Sequence, residues 1–389
     1  MDRTPEKILI YGIFASFFMG IFTFQVFFFL VLIHNLITAW PSWPGFRVWL
    51  GRNKAGLFFF LGAMLAAAVY QQVIVGSGDF GFHWAFAAIW LLTSKQVDGF
   101  DYKKLHRVLL IASVPGLIFS IYWLTRPAEI EWAMQSDLGF AGFPRASGFL
   151  SNPITHAEGL IILLGWSLAR LGETMPRLER RLILAHAGLA LLIMLASRVR
   201  AGILGFMALM LLHGLFSPRH RKLCIWFILI CAVAMIPTVA LFGFNLESIT
   251  ERLVLIKHNL GLFFESPILG IGPDRFHYHP LPEDPELSSH PHNTIVGVAT
   301  EMGLVGLISF AVFMIILTKK YLHIYGLTPE NGGLEPWVMR AFIYQFLCFW
   351  LLGVFDYNFA DTELLMIHGL HWSIVLRVFW RAREKEELS

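Results

Sequence analysis

The chain has 389 residues, of which 56% are hydrophobic and only 15% are charged, with a net charge of +3. Its mean hydropathy is +0.63. Soluble domains carry about 25% charged residues. This composition excludes a disordered, a collagen-like or a nucleic-acid-binding protein. It also argues against a single water-soluble domain, because apolar runs of about 20 residues, enough to cross a bilayer, recur along the chain.

Apolar segments of helical length follow one another along most of the sequence, and twelve membrane-crossing helices would need roughly 240 residues. The first two segments are the least distinct, because residues 8–40 fit either two short helices or one long tilted helix. We therefore predict an all-α integral membrane protein with about 12 transmembrane helices. The segments lie at residues 8–24, 25–40, 55–75, 80–94, 107–124, 156–172, 182–198, 200–216, 223–244, 294–318, 337–354 and 362–379.

The placement of lysine and arginine predicts the orientation, because these residues favour the cytoplasmic side of a membrane. With twelve spans and both termini cytoplasmic, 23 of the 30 basic residues fall on the cytoplasmic side. A single span over residues 8–40 would spoil this division, because it would move Arg47, Arg52 and Lys54 outside. Seven basic residues remain on the outer side: Arg126, Arg145, Arg198, Arg200, Arg252, Lys257 and Arg275.

Positive charge at the outer face is disfavoured unless something there uses it. Solvation in loops, or lysine and arginine side chains reaching toward water, could explain any one of these residues. They explain the whole set of seven less well. The set therefore indicates an anionic ligand at the outer face.

The larger outer loop, residues 245–292, contains a predicted amphipathic helix. Ser248-Ile249-Thr250-Glu251 has the capping-box pattern that starts a helix, and we expect the helix to end near residues 265–267. Arg252 and Asn259 share a face different from the apolar one, which suits a helix lying at the membrane surface. The glycines and the proline in the stretch from Gly270 to Pro273 predict a turn after this helix. The apolar face is formed by Leu246, Ile249, Leu253, Ile256, Leu260 and Phe264.

Histidines are concentrated after this helix. His277 with His279, and His290 with His292, are two His-x-His pairs, and imidazole is a zinc ligand. No cysteine accompanies them in this proline-rich loop, so we expect neither a metal nor a cofactor. His292 precedes an apolar helical run, and histidine can take a proton from a hydroxyl group near neutral pH.

Four short motifs follow one another in order on the outer side. The first is Arg145-Ala146-Ser147-Gly148 with Asn152-Pro153, and the second is the stretch Ser197 to Gly202. The second motif contains two arginines, Arg198 and Arg200, and either could be its functional arginine. We favour Arg200.

The third motif is Glu251-Arg252-Leu253, followed by Ser266-Pro267-Ile268-Leu269-Gly270-Ile271-Gly272. The fourth is His290-Pro291-His292-Asn293, with Gly303 following His292 after ten residues. Together the four motifs resemble the O-antigen ligase family of polytopic membrane glycosyltransferases. That family also includes O-antigen polymerases and protein O-oligosaccharyltransferases, and the spacing from His292 to Gly303 is most like the ligases.

The resemblance implies the transfer of a glycan from undecaprenyl pyrophosphate to lipid A–core oligosaccharide, inverting and metal-independent, on a GT-C-like membrane fold. It implies that His292 deprotonates the acceptor hydroxyl and that Arg200 and Arg252 hold the pyrophosphate, because arginine pairs bidentately with phosphate oxygens. Further substrate contacts are expected from Arg198, Arg145, Arg275, Asn293 and Asn152.

The expected setting is the bacterial inner membrane, with the active site facing the periplasm. Residues 1–244 would hold nine transmembrane helices and a periplasmic loop near 125–155. Residues 245–292 would form the large periplasmic loop, and residues 293–389 the last three helices and a cytoplasmic tail.

Three alternatives stay open at this point. An O-antigen polymerase would use the same donor with another polyprenyl-linked glycan as acceptor. A protein O-oligosaccharyltransferase usually carries a longer C-terminal region. A flippase or transporter is more remote, because transporters often have inverted repeats and charges at mid-membrane, whereas the unusual charges here collect at one face.

Overall fold

The structure of the chain is a computed structural model. It describes residues 4–19, 26–27, 30, 100–125, 138–139, 143–144, 149, 153–197, 199–242, 246–272, 275–281, 290–327, 333–356 and 362–388.

The described chain is dominated by helices. One short antiparallel pair of strands, β1 (Leu138–Gly139) and β2 (Phe143–Pro144), accompanies them, and single 3-10 turns lie at Phe17–Met19, Pro218–His220 and Phe276–Tyr278. The α-helices are α1 (Thr4–Ser16), α2 (Tyr102–Thr125), α3 (Pro153–Leu171), α4 (Arg177–Ala196), α5 (Arg200–Phe216), α6 (Arg221–Phe242), α7 (Leu246–Glu265), α8 (Thr294–Tyr325), α9 (Pro336–Leu352) and α10 (Thr362–Leu388).

The predicted helical character is confirmed. Helices α2 to α6 and α8 to α10 coincide with eight predicted segments. Most ends differ by five residues or fewer, but α8 and α10 extend seven and nine residues beyond their predicted ends. Three described stretches are long and apolar enough to cross a membrane: Tyr102–Tyr122, Pro153–Leu171 and Thr294–Tyr325. The described residues are therefore those of a predominantly helical membrane protein. The predicted number of twelve spans stays a prediction, because segments 25–40, 55–75 and 80–94 lie wholly or almost wholly outside the described residues.

Helix boundaries follow local chemistry. Helices α3 and α9 begin at Pro153 and Pro336, where the missing N–H of proline costs nothing because the first turn leaves its N–H groups unpaired. Helix α4 ends at Ser197, whose hydroxyl and N–H both donate to the carbonyl of Ile193. Val199 is extended, and Arg200 then starts α5. Only residues 197–199 separate the two helices, which confirms the predicted tight junction between two apolar runs.

Helix α3 lies at the centre of the bundle and is buried on nearly all sides, in contact with α5, α9, α4 and α10. Close packing there relies on small residues, as in other membrane bundles. A methyl group added at Gly202 of α5 would press on Ala157 of α3. Trp166 in α3 donates its indole N–H to Nε2 of His371 in α10 at 3.1 Å, with both side chains fully buried.

A polar seam joins α2 to α3 and α4. His106, Ser113 and Ser120 of α2 are seven residues apart, so they lie on one face of the helix. Each makes a hydrogen bond that pairs a histidine with a serine, and such bonds hold apolar helices together where water is absent. The pairs are His106 with Ser167 (3.3 Å), Ser113 with His186 (2.8 Å) and Ser120 with His156 (2.9 Å).

One end of the bundle carries a network of ion pairs. Its basic members all belong to the set predicted to be cytoplasmic. The structure thus brings together groups that charge sorting alone had assigned to one side. The pairs are Arg340 with Glu173 (2.7 Å), Arg107 with Glu179 (3.2 Å), Arg170 with Glu179 (3.8 Å) and Lys103 with Glu335 (3.7 Å).

Candidate active site

Helix α8 is broken at Gly303, near its N-terminal end. Gly303 has φ 62° and ψ −161°, so residues 294–302 and 304–325 form two helical halves. A non-glycine residue rarely adopts this conformation. The break frees backbone groups that must find other partners inside a membrane protein.

The loop of residues 266–272, which follows α7, supplies those partners. Ile271 and Gly272 donate their N–H groups to the carbonyls of Thr300 and Glu301, at 2.9 and 3.0 Å. The carbonyls of Pro267 and Ile268 accept from Leu304 and Val305, at 2.8 and 3.2 Å. The loop and the broken helix therefore cross backbone to backbone.

Two glycines make this crossing possible. A Cβ at Gly270, where φ is 72°, would collide with the backbone of Glu301, and a Cβ at Gly303 would collide with the backbone of Ile268. Gly270 of the third motif and Gly303 of the fourth motif therefore serve one contact.

Helix α7 packs against α8 beside this crossing. Its buried face carries Leu255, Asn259 and Leu262, and Arg252 lies on the same side. Thr300 of α8 donates to the carbonyl of Asn259 at 3.1 Å. The predicted apolar face points outward instead, with Leu253 61% and Phe264 73% exposed, as expected for a helix that rests on lipid.

The predicted start of this helix was slightly wrong. Helix α7 begins at Leu246, so Ser248 lies inside the first turn rather than capping it. Its end at Glu265 agrees with the prediction. The capping-box pattern is short, and the apolar residue before it extends the helical periodicity by two residues.

His292 has an unusual backbone. Its φ is 45°, which is uncommon for a residue other than glycine. Its N–H donates to Nδ1 of His290 at 3.4 Å, and its own Nδ1 lies 3.1 Å from Oδ1 of Asp356. Asn293, rather than His292, caps α8, with its side-chain oxygen accepting the N–H of Val296. His292 was predicted to start the helix, and it lies one residue before the cap.

Asp356 belongs to the turn of residues 353–356 that follows α9. Thr294 donates its N–H to the carbonyl of Gly353 at 2.7 Å, and Asn293 donates its side-chain amide to the carbonyl of Val354 at 3.1 Å. Arg252 donates Nη1 to the carbonyl of Phe355 at 2.9 Å. The start of α8 and one side chain of α7 thus hold this turn, which positions the Asp356 carboxylate against His292.

The site lies at the opposite end of the bundle from the ion-pair network. Arg340 is in the first turns of α9, whereas the turn of residues 353–356 follows its last residue. The 17 residues of α9 span about 25 Å at a rise of 1.5 Å per residue. This separation agrees with the predicted sorting of Arg252 and Arg340 to different sides.

The remaining predicted site residues are placed unequally. Arg275 is 8% exposed, and its guanidinium lies 5.3 Å from the ring of Tyr278. A Cβ at Gly272, where φ is 99°, would press on the Arg275 side chain. Arg200 is placed by its backbone as the first residue of α5, while Arg198, Arg145 and Asn152 lie outside the described residues. The predicted substrate contacts of these residues stay predictions.

His290 lies beside His292 and forms a cluster with His292 and Asp356. Its ring lies 5.0 Å from that of His292 and 6.0 Å from that of Phe276, measured between centroids. Burial is the main reason that the pKa of His290 falls to about 4, while Asp356 acts to raise it and His292 to lower it further. His290 is therefore neutral at neutral pH. The ligand atoms of His290, His292 and Asp356 all lie within 4.8 Å of one another, so these three could hold a metal ion.

The arrangement suits proton transfer. A carboxylate can only accept a hydrogen bond, so Asp356 favours the tautomer of neutral His292 that carries its proton on Nδ1. Nε2 then keeps a lone pair that can take a proton. Both side chains are partly exposed, at 30% for His292 and 16% for Asp356.

Asp356 was missed in the sequence. A carboxylate just beyond a predicted span, at the end assigned to the outer side, was a usable signal. It gave no indication of a partner, because Asp356 is 64 residues from His292. Asn293, which was predicted to contact the substrate, has both ends of its amide engaged in the structure, one with Val296 and one with Val354.

The fold and the site together define a helical membrane protein with a histidine, a carboxylate and an arginine gathered at one end of its bundle. The family described as O-Antigen ligase matches residues 185–311. This match supports the resemblance drawn from the motifs, and the matched third of the chain, which includes Arg200, Arg252 and His292, is similar to O-antigen ligase domains. No curated protein matches the chain.

The family match supports a general activity and a general setting. Its members are glycosyltransferases of the O-antigen ligase and polymerase type, which act on lipid-linked glycans in a membrane. The segment from 185 to 311 holds helices α5 to α7 and the first half of α8, with the crossing at Gly303. Asp356 lies beyond it.

Proposed function

We propose that this protein is an O-antigen ligase. It transfers a glycan from undecaprenyl pyrophosphate to lipid A–core oligosaccharide at the periplasmic face of the bacterial inner membrane, with inversion and without a metal. The observation that carries this proposal is the His292–Asp356 pair, held at 3.1 Å beside Arg252. His292 and Arg252 lie in the segment that the O-antigen ligase family matches, and Asp356 lies beyond that segment.

His292 acts as the general base. Its Nε2 takes the proton of the acceptor hydroxyl while the hydroxyl oxygen attacks the anomeric carbon of the donor sugar. The bond from that carbon to the pyrophosphate oxygen breaks in the same step, which inverts the configuration. Asp356 accepts a hydrogen bond from the Nδ1–H group and stabilises the imidazolium as it forms, as the carboxylate does in other His–Asp pairs.

The arginines stabilise the leaving group. Negative charge develops on the pyrophosphate as it departs, and fixed cations aimed at that charge lower the barrier. Arg252 uses one N–H on the carbonyl of Phe355, and a guanidinium has five N–H donors in all. The others can contact phosphate oxygens, together with Arg200 at the start of α5. This arrangement also ties the phosphate contact to the turn that holds Asp356.

Transfer by the purified protein tests the proposal. The protein is treated with a chelator and given a defined polyprenyl-pyrophosphate glycan and lipid A–core. We expect capped lipid A–core whose new bond has the inverted configuration. Absence of this product, with a donor that a known ligase accepts in parallel, would overturn the proposal.

A deletion strain separates the ligase from the polymerase. A ligase deletion loses all capped lipid A–core and accumulates lipid-linked polymer. A polymerase deletion still makes lipid A–core that bears a single repeat, and that outcome would assign the protein to the alternative.

A further inference from the structure

A cluster of metal-ligating side chains surrounds the proposed base. His290 and His292 come from the loop before α8, and Asp356 comes from the turn after α9. Their ligand atoms lie within 4.8 Å of one another, and His292 Nδ1 and Asp356 Oδ1 are 3.1 Å apart. Nitrogen and carboxylate oxygen atoms bound tetrahedrally to zinc at 2.0–2.2 Å lie about 3.4 Å from one another. The pair of His292 and Asp356, at 3.1 Å, is close to this separation.

The backbone holds two of the three ligands in place. Asp356 is fixed by the hydrogen bonds from α7 and α8 to its turn, and the backbone of His292 is fixed by its contact with His290. The ligand atom of His290 lies within 4.8 Å of the other two, so the three side chains face a common space. The partial exposure of His292 and Asp356 leaves a way in for an ion.

The donor set selects the kind of metal. Two imidazoles and one carboxylate suit zinc, whereas magnesium and calcium prefer oxygen ligands. Three protein ligands leave a fourth tetrahedral position for water. The carboxylate offsets part of the charge of a divalent ion.

We propose that His290, His292 and Asp356 form an inhibitory zinc site. When zinc binds Nδ1 of His292, the proton that Nδ1 carried moves to Nε2, because the neutral ring keeps one proton. Nε2 then has no lone pair for the acceptor hydroxyl. Zinc also takes the Asp356 carboxylate away from the imidazole, so the ion stops transfer without occupying the pyrophosphate contacts.

The binding half of this inference stands on the geometry alone, whereas the inhibition rests on the proposed function. Binding is measured first, on the full-length purified protein freed of metal with a chelator. We expect saturable binding of one Zn²⁺ per chain by calorimetry. Co²⁺ at the same site should give the visible absorption of a tetrahedral complex with nitrogen and oxygen ligands.

Two variants locate the ion. His290→Asn keeps an acceptor for the N–H of His292 but replaces the imidazole, so Zn²⁺ should bind about tenfold more weakly or worse. His279→Ala removes a histidine of the other His-x-His pair and should leave the affinity unchanged. Absence of saturable Zn²⁺ binding, or equal affinity in the wild type and His290→Asn, would overturn the site.

Inhibition is measured as the rate with Zn²⁺ divided by the rate of the same variant without metal. Zn²⁺ should slow transfer by the wild type and a chelator should restore it, while His290→Asn should need about tenfold more Zn²⁺ for the same effect. Zinc that binds without slowing transfer would overturn the inhibitory role and keep the site. Transfer that requires Zn²⁺ would instead overturn the metal-independent reaction proposed above.

Discussion

At the scale of single residues, His292 has a structural role and a chemical role. The structural role is its positive φ and its hydrogen bond to Asp356, and the proposed chemical role is that of a base through Nε2. A positive φ costs free energy in most residues, but asparagine tolerates it about as well as histidine does. Asparagine also places an amide N–H close to where Nδ1 of His292 meets Asp356. It lacks any atom at the position of Nε2. Substitution by asparagine therefore preserves the backbone and the bond to Asp356 while it removes the base.

We expect His292→Asn to lose transfer by about 100-fold or more, in the range that general bases contribute, while the protein inserts and melts like the wild type. His292→Ala should lose as much activity and also some stability. The measurements are the transfer rate and the thermal unfolding of the purified protein. Full O-antigen capping in a strain that carries only His292→Asn would contradict the role as base.

Asp356→Asn tests the positioning of that base. The amide donates as well as accepts, so it no longer selects the tautomer of His292 that has a free Nε2. The maximal rate should fall by about 100-fold, with the KM for the donor changed far less, because the pyrophosphate contacts remain. A large rise in KM with an unchanged maximal rate would indicate instead that Asp356 serves only to shape the donor site.

Arg252→Lys tests the bidentate contact. Lysine keeps the charge but loses the planar fork, and it cannot both bind the carbonyl of Phe355 and pair with a phosphate through two N–H groups. Transfer should fall by about tenfold or more. Lys257→Arg, on the exposed side of the same helix, is the matched control and should be silent. Equal rates in Arg252→Lys and the wild type would show that charge alone suffices.

His290 makes one contribution to the pH dependence of stability. Its pKa in the folded protein is lowered to about 4 by burial, whereas an exposed histidine titrates near 6.5. Between these values the unfolded chain binds a proton that the folded chain does not. The free energy of unfolding should therefore fall as the pH drops from about 6.5 to 4. His290→Asn should flatten this slope in thermal unfolding measured across that range, and a slope identical to that of the wild type would contradict the burial of His290.

At the scale of secondary-structure elements, the crossing at Gly303 is the feature that assembles the site. It fixes the first half of α8, which carries His292 and Asn293 at its start, against the loop that follows α7. The two halves of α8 share their backbone hydrogen bonds with that loop, so neither segment can move alone.

Gly303→Ala should destabilise the protein by about 1–3 kcal/mol from backbone strain alone, with more from the collision with Ile268, and should abolish transfer. Gly270→Ala should have the same effect, because the added methyl group would collide with the backbone of Glu301 in α8, on the other side of the same crossing. Gly261→Ala is the control: it lies in α7 with open space around the added methyl group, and it should be neutral or stabilise the helix by up to about 1 kcal/mol. Thermal unfolding measures all three, and a fully active, stable Gly303→Ala would contradict the crossing.

At the scale of the whole molecule, the two ends of the bundle differ in what their charges do. One end neutralises its arginines with glutamates, whereas the other directs Arg252 to a backbone carbonyl beside a histidine and an aspartate. This difference agrees with an inner face that only needs solvation and an outer face that binds an anion.

Accessibility to a membrane-impermeant thiol reagent tests this sidedness. In a protein from which Cys224, Cys231 and Cys348 have been removed, Lys257→Cys should react in intact cells after the outer membrane is permeabilised. Arg219→Cys should react only after the inner membrane is opened. Both side chains are exposed in the structure, and the reverse pattern would contradict the predicted orientation.

The sequence by itself determined the membrane class, most of the described helices, the charge sorting and the residues that resemble the O-antigen ligases. These are local properties: apolar runs set helices, and the basic residues between the runs set sides. Only the tertiary structure decided that the loop containing Gly270 crosses α8 at Gly303, that Asn293 caps α8, and that Asp356 faces His292. Such contacts join segments whose separation along the chain leaves no periodic pattern, because they are set by how packed helices bring their ends together.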